Sequence, residues 1–266
     1  MNFECDIISR RAFLAISALA AAGFVRAATV ESSPTQKGRE FLAKLFDPDV
    51  GLLPEFRGAR VYWLSHDNYL AARVLRESHP DISRAIVATI EKDGLKQSDG
   101  KTELVVGEKA RVLPFRHYSL TDVRKVGEKV IRTEMATEQV MNGWEQYVDL
   151  LCLASIAEGR NPAGQQHWEA VVRLWDGSGF RDVAAEKHQQ YATYKLALAL
   201  IAGSRLHATG KILEAIHEKL LLLQDESGGW ITDYNRDGKR LGVANVETTC
   251  LAILGLEEFS KLRAAK

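Results

Sequence analysis

Three turns of similar sequence, each at the end of a helical pattern, constrain the fold of this chain most. They are LFDPDVGLL at 45–53, LWDGSGFRD at 174–182 and LLQDESGGW at 222–230. Each contains a leucine, an aspartate, a glycine and a large apolar residue in the same order. A more apolar helical pattern follows each turn within about 10–20 residues. Repetition at this scale is typical of stacked helical hairpins, so the chain is predicted to be built from them.

The last turn carries the most specific motif. Two consecutive glycines, Gly228 and Gly229, allow the preceding helix to end and the chain to reverse. Trp230 is large enough to fill the space between the two helices of a hairpin, and Asp225 is expected to bond backbone amides of the turn. QDESGGW at 224–230 resembles the Q-x-x-D-G-G-W motif of the α/α-toroid proteins. These include terpene cyclases, protein prenyltransferase β-subunits and six-hairpin glycoside-processing enzymes.

The predicted fold is mainly all-α. Amphipathic helical patterns alternate with nearly all-apolar ones, which indicates an outer and an inner layer of helices. The resemblance implies an α/α toroid, and with roughly four hairpins the ring is expected to be incomplete. A small β-hairpin is predicted as an insertion at about 102–116, where apolar residues flank Gly107. Helices are predicted at 36–46, 65–77, 81–92, 138–158, 164–175, 186–204, 208–223 and 243–263.

The N-terminus has the features of an export signal. The segment SRRAFL at 9–14 resembles the twin-arginine motif, and an apolar run at 16–25 follows it. Small residues at the end of the run fit cleavage after Ala27. We therefore expect a signal peptide at 1–27, a single domain at 28–266 and a periplasmic or secreted location. The alternatives are an uncleaved anchor or a chance arginine pair, although the run is short for a membrane span.

Charge and motif content exclude several classes of function. Lysine plus arginine and aspartate plus glutamate each number 35, so no overall field attracts nucleic acid or an anionic membrane. The chain contains no D-x-D-D, H-E-x-x-H, C-x-x-C, P-loop or G-x-G-x-x-G motif. We therefore expect no cofactor and no metal. Cys152 and Cys250 lie in apolar helical runs and are predicted to be buried thiols, with a disulfide between them as the alternative.

Four predicted inner helices begin with polar and aromatic residues, at 62–69, 144–149, 188–194 and 245–248. In a ring of helices these four starts face one mouth. Aromatic rings beside carboxylates and amides suit a sugar-binding cleft. The predicted substrate-binding residues are Tyr62, Trp63, His66, Asn68, Trp144, Tyr147, His188, Tyr191 and Asn245.

Carboxylates in the same turns suggest a reaction. Hydrolysis of a glycosidic bond uses an acid and a base, for which the candidates are Asp67, Glu145, Asp149 and Glu247. Glu134, in the segment before the predicted helix 138–158, is a further candidate at the rim. A histidine with a tyrosine, such as His188 with Tyr191, would instead suit proton abstraction from a uronic acid.

Helix-start chemistry is the structural alternative for several of these residues. Ser65 and Asn245 are good N-cap residues. Asp67 and Glu247 fall in the first turn, where the helix dipole favours a negative charge. On this alternative the residues stabilise the helix ends and have no part in catalysis.

Together these features give one hypothesis and one alternative. The hypothesis is an exported α/α-toroid protein that binds a small molecule or oligosaccharide and cleaves or modifies it, as a carboxylate-dependent hydrolase or lyase. The alternative is a non-catalytic periplasmic binding or interaction module on the same scaffold.

Overall fold

The computed structural model describes residues 32–95, 100–110 and 114–265, so the predicted signal peptide at 1–27 lies outside the described residues. The chain from Ser33 onward forms one compact unit. The predicted mainly helical fold is confirmed. The α-helices in the described residues are α1 Pro34–Leu45, α2 Ser65–Leu75, α3 Pro80–Lys92, α4 Thr102–Val105, α5 Val148–Glu158, α6 Pro162–Arg173, α7 Val183–His188, α8 Thr193–Arg205, α9 Ile212–Leu222 and α10 Val246–Ala264.

The four long helices with the most buried residues pack side by side in the order α2, α10, α8, α5. The helices that precede or follow them in sequence pack against this row: α1 on α2 and α10, α3 on α2, α6 on α5 and α8, and α9 on α8 and α10. The short helix α4 contacts both α2 and α5. Since the helices of the row have neighbours on several sides, their apolar residues extend around most of the helix surface.

The three similar turns have similar structures. In each, an antiparallel bridge closes the loop: Asp47 with Leu52, Trp175 with Phe180, and Gln224 with Trp230. In each, the aspartate side chain accepts hydrogen bonds from backbone amides two or three residues further on: Asp47 from Asp49 and Val50, Asp176 from Ser178 and Gly179, and Asp225 from Ser227. These bonds satisfy backbone amides of the turn itself, which lie beyond the regular hydrogen bonds of the preceding helix. The predicted role of Asp225 in its turn is therefore confirmed.

Trp230 joins the two helices of the last hairpin. Its ring is fully buried, and its indole nitrogen donates a hydrogen bond to the Leu220 carbonyl on α9 at 2.8 Å. Its backbone amide donates to Thr249 Oγ1 on α10 at 3.0 Å. Gly228 has φ +91°, and a Cβ there would lie 2.5 Å from the Lys37 carbonyl oxygen. The turn therefore needs a glycine for both its conformation and the close approach of α1.

The β-hairpin lies later in the chain than the sequence predicted. Residues 102–105 form α4, and the hairpin consists of β2, Arg116–Val126, and β3, Lys129–Val140. The strand β1, Trp63–Leu64, pairs in parallel with β3, so the sheet order is β1-β3-β2. The apolar run near Gly107 packs against helices instead of pairing, because Leu104 and Val105 are buried in the helical core.

Two predicted helices are each interrupted in the structure. The predicted helix 138–158 begins only at Val148, because β3 extends to Val140 and Gly143 adopts φ +70°. The predicted helix 186–204 is divided into α7 and α8 by Gln189 at φ +56° and by a short strand β4, Tyr191–Ala192. β4 pairs with β5, Ile231–Tyr234, which pairs with β6, Arg240–Ala244. The pairing of β4 with the distant strand β5 therefore overrides the helix propensity of the residues in β4.

Cys152 and Cys250 are both buried and free, as predicted, and no disulfide joins them. No helix in the described part of the chain is long and apolar enough to cross a bilayer.

Candidate functional site

A cavity of about 190 Å³ lies where the first turns of the four central helices α2, α5, α8 and α10 meet. Each helix contributes its second residue and the residue four positions later. Because residues four apart lie on the same face of a helix, the polar second residues form one layer and the leucines form another, one turn further along. The eight residues are His66 and Leu70, Asp149 and Leu153, Tyr194 and Leu198, and Glu247 and Leu251.

The remaining wall comes from the segment around α4 and from β3. Lys101, Thr102 and Val105 contribute on one side, and Glu134 contributes from β3. The parallel pairing of Leu64 with Arg132 holds β3 beside the start of α2. That pairing brings Glu134, which is 68 residues from His66 in sequence, into the same cavity.

His66 lies between two carboxylates. Its Nε2 atom is 3.2 Å from Asp67 Oδ1 and 3.8 Å from Glu134 Oε1. Asp67 is only 1% exposed, and neither of its oxygens accepts a hydrogen bond from the described residues. Burial raises the pKa of Asp67 well above its usual value, with a further increase from the charges of Glu247, Glu55 and Glu134 that His66 partly opposes.

Glu247 is the carboxylate that α10 places on the cavity wall. Loss of hydration raises its pKa, and the charges of Glu134 and Glu55 raise it further, whereas His66 and Lys101 lower it. Burial also raises the pKa of Glu55, although a hydrogen bond from the Asn245 side chain lowers it. A raised carboxyl pKa is the property that a general acid needs near neutral pH.

Asp149, on α5, has different neighbours. The Tyr194 hydroxyl donates a hydrogen bond to Asp149 Oδ2 at 3.2 Å, and Lys195 Nζ is 3.9 Å from Oδ1. The Lys195 ammonium also donates to the fully buried Asp182. Asp182 accepts hydrogen bonds from the amides of Val148 at 3.1 Å and Ala185 at 3.0 Å. This network fixes the start of α5, and therefore Asp149, relative to α8.

The structure brings together part of the predicted site. Of the predicted catalytic residues, Asp149 and Glu247 line the cavity, and Asp67 lies directly behind His66. Of the predicted substrate-binding residues, only His66 is a wall residue. Glu134, the candidate at the rim, also lines the cavity.

Three predicted binding residues have structural roles. Asn68 is buried and bonds both the amide and the carbonyl of Leu53, which fixes the loop before α2. Asn245 caps α10, as its Oδ1 accepts from the Thr248 amide at 2.9 Å. Trp63 is 1% exposed and belongs to the hydrophobic core. The N-cap prediction is correct for Asn245 but wrong for Ser65, which is the first residue of α2 and donates a hydrogen bond to Thr133.

The other predicted residues lie away from the cavity wall. Tyr62 and Glu145 are exposed, and Trp144 stacks on Phe115 with ring centroids 4.4 Å apart, while Tyr147 packs on the core. The predicted pair of His188 and Tyr191 does not form. His188 is exposed at the end of α7, and the Tyr191 hydroxyl donates to Asp176 at 2.6 Å. The interruption of the predicted helix at Gln189 separates both residues from the first turn of α8.

Sequence reasoning missed Tyr194, Lys101 and Thr102 as wall residues. Tyr194 had a usable signal, because it is the second residue of an apolar helix, as are His66, Asp149 and Glu247. Lys101 had no such signal, since its place depends on the contacts of α4 with α2 and α5.

Among the described residues, no group of three or more histidine, cysteine, aspartate or glutamate side chains is arranged to hold a metal ion. Comparison of the chain with protein-family models, with curated proteins and with solved structures finds no match.

Proposed function

We propose that this protein is an exported carbohydrate-binding protein that cleaves a glycosidic bond in the cavity at the starts of α2, α5, α8 and α10. The observation that carries the proposal is the repeated position: four helices each present a polar second residue to one cavity, and two of the four are carboxylates. Polar groups that converge over an apolar layer are typical of sites for small polar ligands.

The size of the cavity favours a small ligand unit. A volume of about 190 Å³ is below the ~300–1,000 Å³ of most ligand pockets. We therefore expect the cavity to hold part or all of a single sugar unit, with any remaining units outside it.

The proposed reaction uses Glu247 as the acid and Asp149 as the base. Glu247, whose pKa is raised, gives its proton to the glycosidic oxygen as the bond from that oxygen to the anomeric carbon breaks. A water molecule attacks the anomeric carbon and gives a proton to Asp149, which the Tyr194 hydroxyl and Lys195 hold in place. The products are two sugars with free hydroxyl groups, and proton exchange with water restores both carboxyl groups.

A lyase acting on uronic acids fits this cavity less well. Such a substrate carries a carboxylate, and even with Glu247 protonated the wall has two carboxylates, Glu134 and Asp149, against one lysine, Lys101. Like charges at short range destabilise the bound state. His66 and Tyr194 both line the cavity, but the charge of the wall favours a ligand without an anionic group.

The toroid arrangement and export are parts of the same proposal. The row α2, α10, α8, α5 with other helices packed against it supports an incomplete α/α toroid, in which α4 occupies the gap between α2 and α5. The twin-arginine-like segment SRRAFL at 9–14 supports export. To test the export route, residues 1–27 are fused to a reporter protein in place of the rest of the chain. Export by the twin-arginine route predicts that the reporter is secreted and that secretion is lost when both arginines are changed to lysine.

The catalytic proposal is tested with purified protein and a set of neutral and charged oligosaccharides, with product analysis. Glu247→Gln is expected to lower turnover by about 10²–10⁴-fold, the usual contribution of a general acid or base. Glu145→Gln is the matched control, because Glu145 is exposed and is expected to leave turnover unchanged. Binding of a glycan without any cleavage would instead support the non-catalytic binding module, and equal losses in both variants would contradict the assignment of Glu247.

A further inference from the structure

One face of the hairpin formed by β2 and β3 continues from the cavity. Side chains alternate between the two faces of a strand, and residues directly opposite each other on paired strands lie on the same face. Glu134, a wall residue on β3, pairs with Leu120 on β2, and its side chain is 22% exposed. We call this face the outer face, and by alternation and pairing it carries Tyr118, Leu120, Asp122, Arg132 and Glu134, with Tyr62 next to β1.

Side-chain contacts along the outer face agree with this assignment. The ammonium of the wall residue Lys101 lies 4.0 Å from the centre of the Tyr118 ring, two residues before Leu120. On the other side of Leu120, the guanidinium of Arg132 lies 5.2 Å from the centre of the Tyr62 ring. The outer face therefore runs from the cavity wall past Leu120 to Tyr62.

The two faces of the hairpin differ in what covers their apolar residues. On the inner face, Ile131 is fully buried, and Thr133 accepts a hydrogen bond from Ser65 on α2 at 2.8 Å. On the outer face, Leu120 is 54% exposed and Tyr62 is 41% exposed. Core packing therefore explains the inner face only. Apolar side chains grouped beside a cavity mark a ligand-binding surface, whereas single scattered ones do not.

The outer face combines this apolar surface with exposed hydrogen-bonding groups. Arg132 Nε donates to Asp122 Oδ1 at 2.8 Å, and the Asp122 side chain is 51% exposed, so it keeps acceptor positions for hydroxyl groups. A sugar ring has apolar C–H groups on its faces and hydroxyl groups at its edge. It can therefore pack on Leu120 or Tyr62 and bond to Asp122 at the same time. A purely apolar group would leave these polar positions unused.

From this arrangement we propose that the substrate has at least two sugar units, of which one occupies the cavity and the next packs on Leu120 and Tyr62 of the outer face. The inference rests on the proposed carbohydrate-binding function and narrows its substrate to oligosaccharides. The volume of the cavity, about 190 Å³, is below that of most ligand pockets, so the next unit needs a surface outside it. Leu120 and Tyr62 are then specificity-determining residues of the same site.

The test compares dissociation constants by calorimetry. The probes are thio-linked disaccharides and the methyl and phenyl thioglycosides of the same terminal sugar, each in the glucose, galactose and mannose series. Their glycosidic oxygen is replaced by sulfur, so they resist cleavage. In the series that binds, the disaccharide is expected to bind about tenfold more tightly than the methyl thioglycoside, since tenfold corresponds to the burial of about 55 Å² of apolar surface.

Two variants locate the surface. Leu120→Ser is expected to remove the preference for the disaccharide and to leave binding of the methyl thioglycoside unchanged. Met135→Ser is the matched control, because Met135 is an exposed apolar residue on the same hairpin, adjacent to Glu134 and therefore on the opposite face. This control is expected to retain the preference.

Each other outcome overturns a defined part of the reasoning. Equal binding of the disaccharide and the methyl thioglycoside contradicts the second sugar unit and leaves the carbohydrate proposal intact. Tighter binding of the phenyl thioglycoside than of the disaccharide shows that the outer face takes an apolar group instead. A preference that persists in Leu120→Ser, with its thermal transition unchanged, or that is lost equally in Met135→Ser, contradicts the assignment to the outer face. Absence of binding by all the probes contradicts both proposals.

Discussion

The ion pair of Asp182 and Lys195 gives the most direct test of how the site is held together. Asp182 is 0% exposed and Lys195 is 5% exposed at the side chain. Asp182 also accepts the amides that begin α5 and α7. The change Asp182→Asn keeps the shape and one acceptor oxygen but removes the negative charge. It therefore leaves a buried ammonium whose nearest other carboxylate is Asp149, 3.9 Å away.

The expected loss of stability follows from that uncompensated charge. Removal of one partner of a buried pair costs about 3–5 kcal/mol. For a folded unit of this length, each kcal/mol corresponds to a fall of about 2 °C in the midpoint of thermal unfolding. We therefore expect Asp182→Asn to lower the midpoint by about 6–10 °C. The measurement is thermal unfolding followed by circular dichroism, repeated in urea to obtain the free energy of unfolding.

Two further variants separate the charge effect from other causes. Asp225→Asn, in an exposed turn where the carboxylate accepts from the Ser227 amide, is the control and should cost less than about 1 kcal/mol. The double variant Asp182→Asn with Lys195→Met removes both charges and should be more stable than Asp182→Asn alone. A double variant no more stable than the single one would refute the reasoning, because the unpaired lysine would then not be the source of the loss.

Three other perturbations have defined outcomes. Asn245→Ala removes the cap on the Thr248 amide and should lower the free energy of unfolding by about 1–2 kcal/mol in urea; an unchanged midpoint contradicts the capping role. Gly228→Ala forces a side chain into φ +91° against the Lys37 carbonyl and should cost at least about 1–3 kcal/mol, also seen in urea. Glu247→Gln tests a pH dependence. Because the pKa of Glu247 is raised, the folded protein binds the carboxyl proton more tightly than the unfolded chain does. The native glutamate therefore lowers the free energy of unfolding as pH rises above about 4.5. The variant should therefore be more stable than the parent at about pH 8 and equal to it at about pH 4, and a constant difference would refute this.

The local sequence determined much of the helical scaffold. Helix propensity, apolar periodicity and turn residues act over a few positions, so the turns at Asp47, Asp176 and Asp225 and the role of Trp230 were predictable from neighbours in sequence. The same short-range logic placed Glu247 in the first turn of α10 and identified Asn245 as its cap.

Only the tertiary structure decided which polar residues share the cavity. Glu134 reaches it through pairing of β1 with β3, and Lys101 through the packing of α4, and both depend on contacts between residues far apart in sequence. His188 lay next to a predicted helix start but is exposed, because Gln189 ends α7 before α8 begins. The raised pKa of Asp67 likewise comes from burial and from charges on three other segments. Local patterns specify where helices begin and end, whereas the electrostatics of a cavity are a sum over every segment that reaches it, which no local pattern contains.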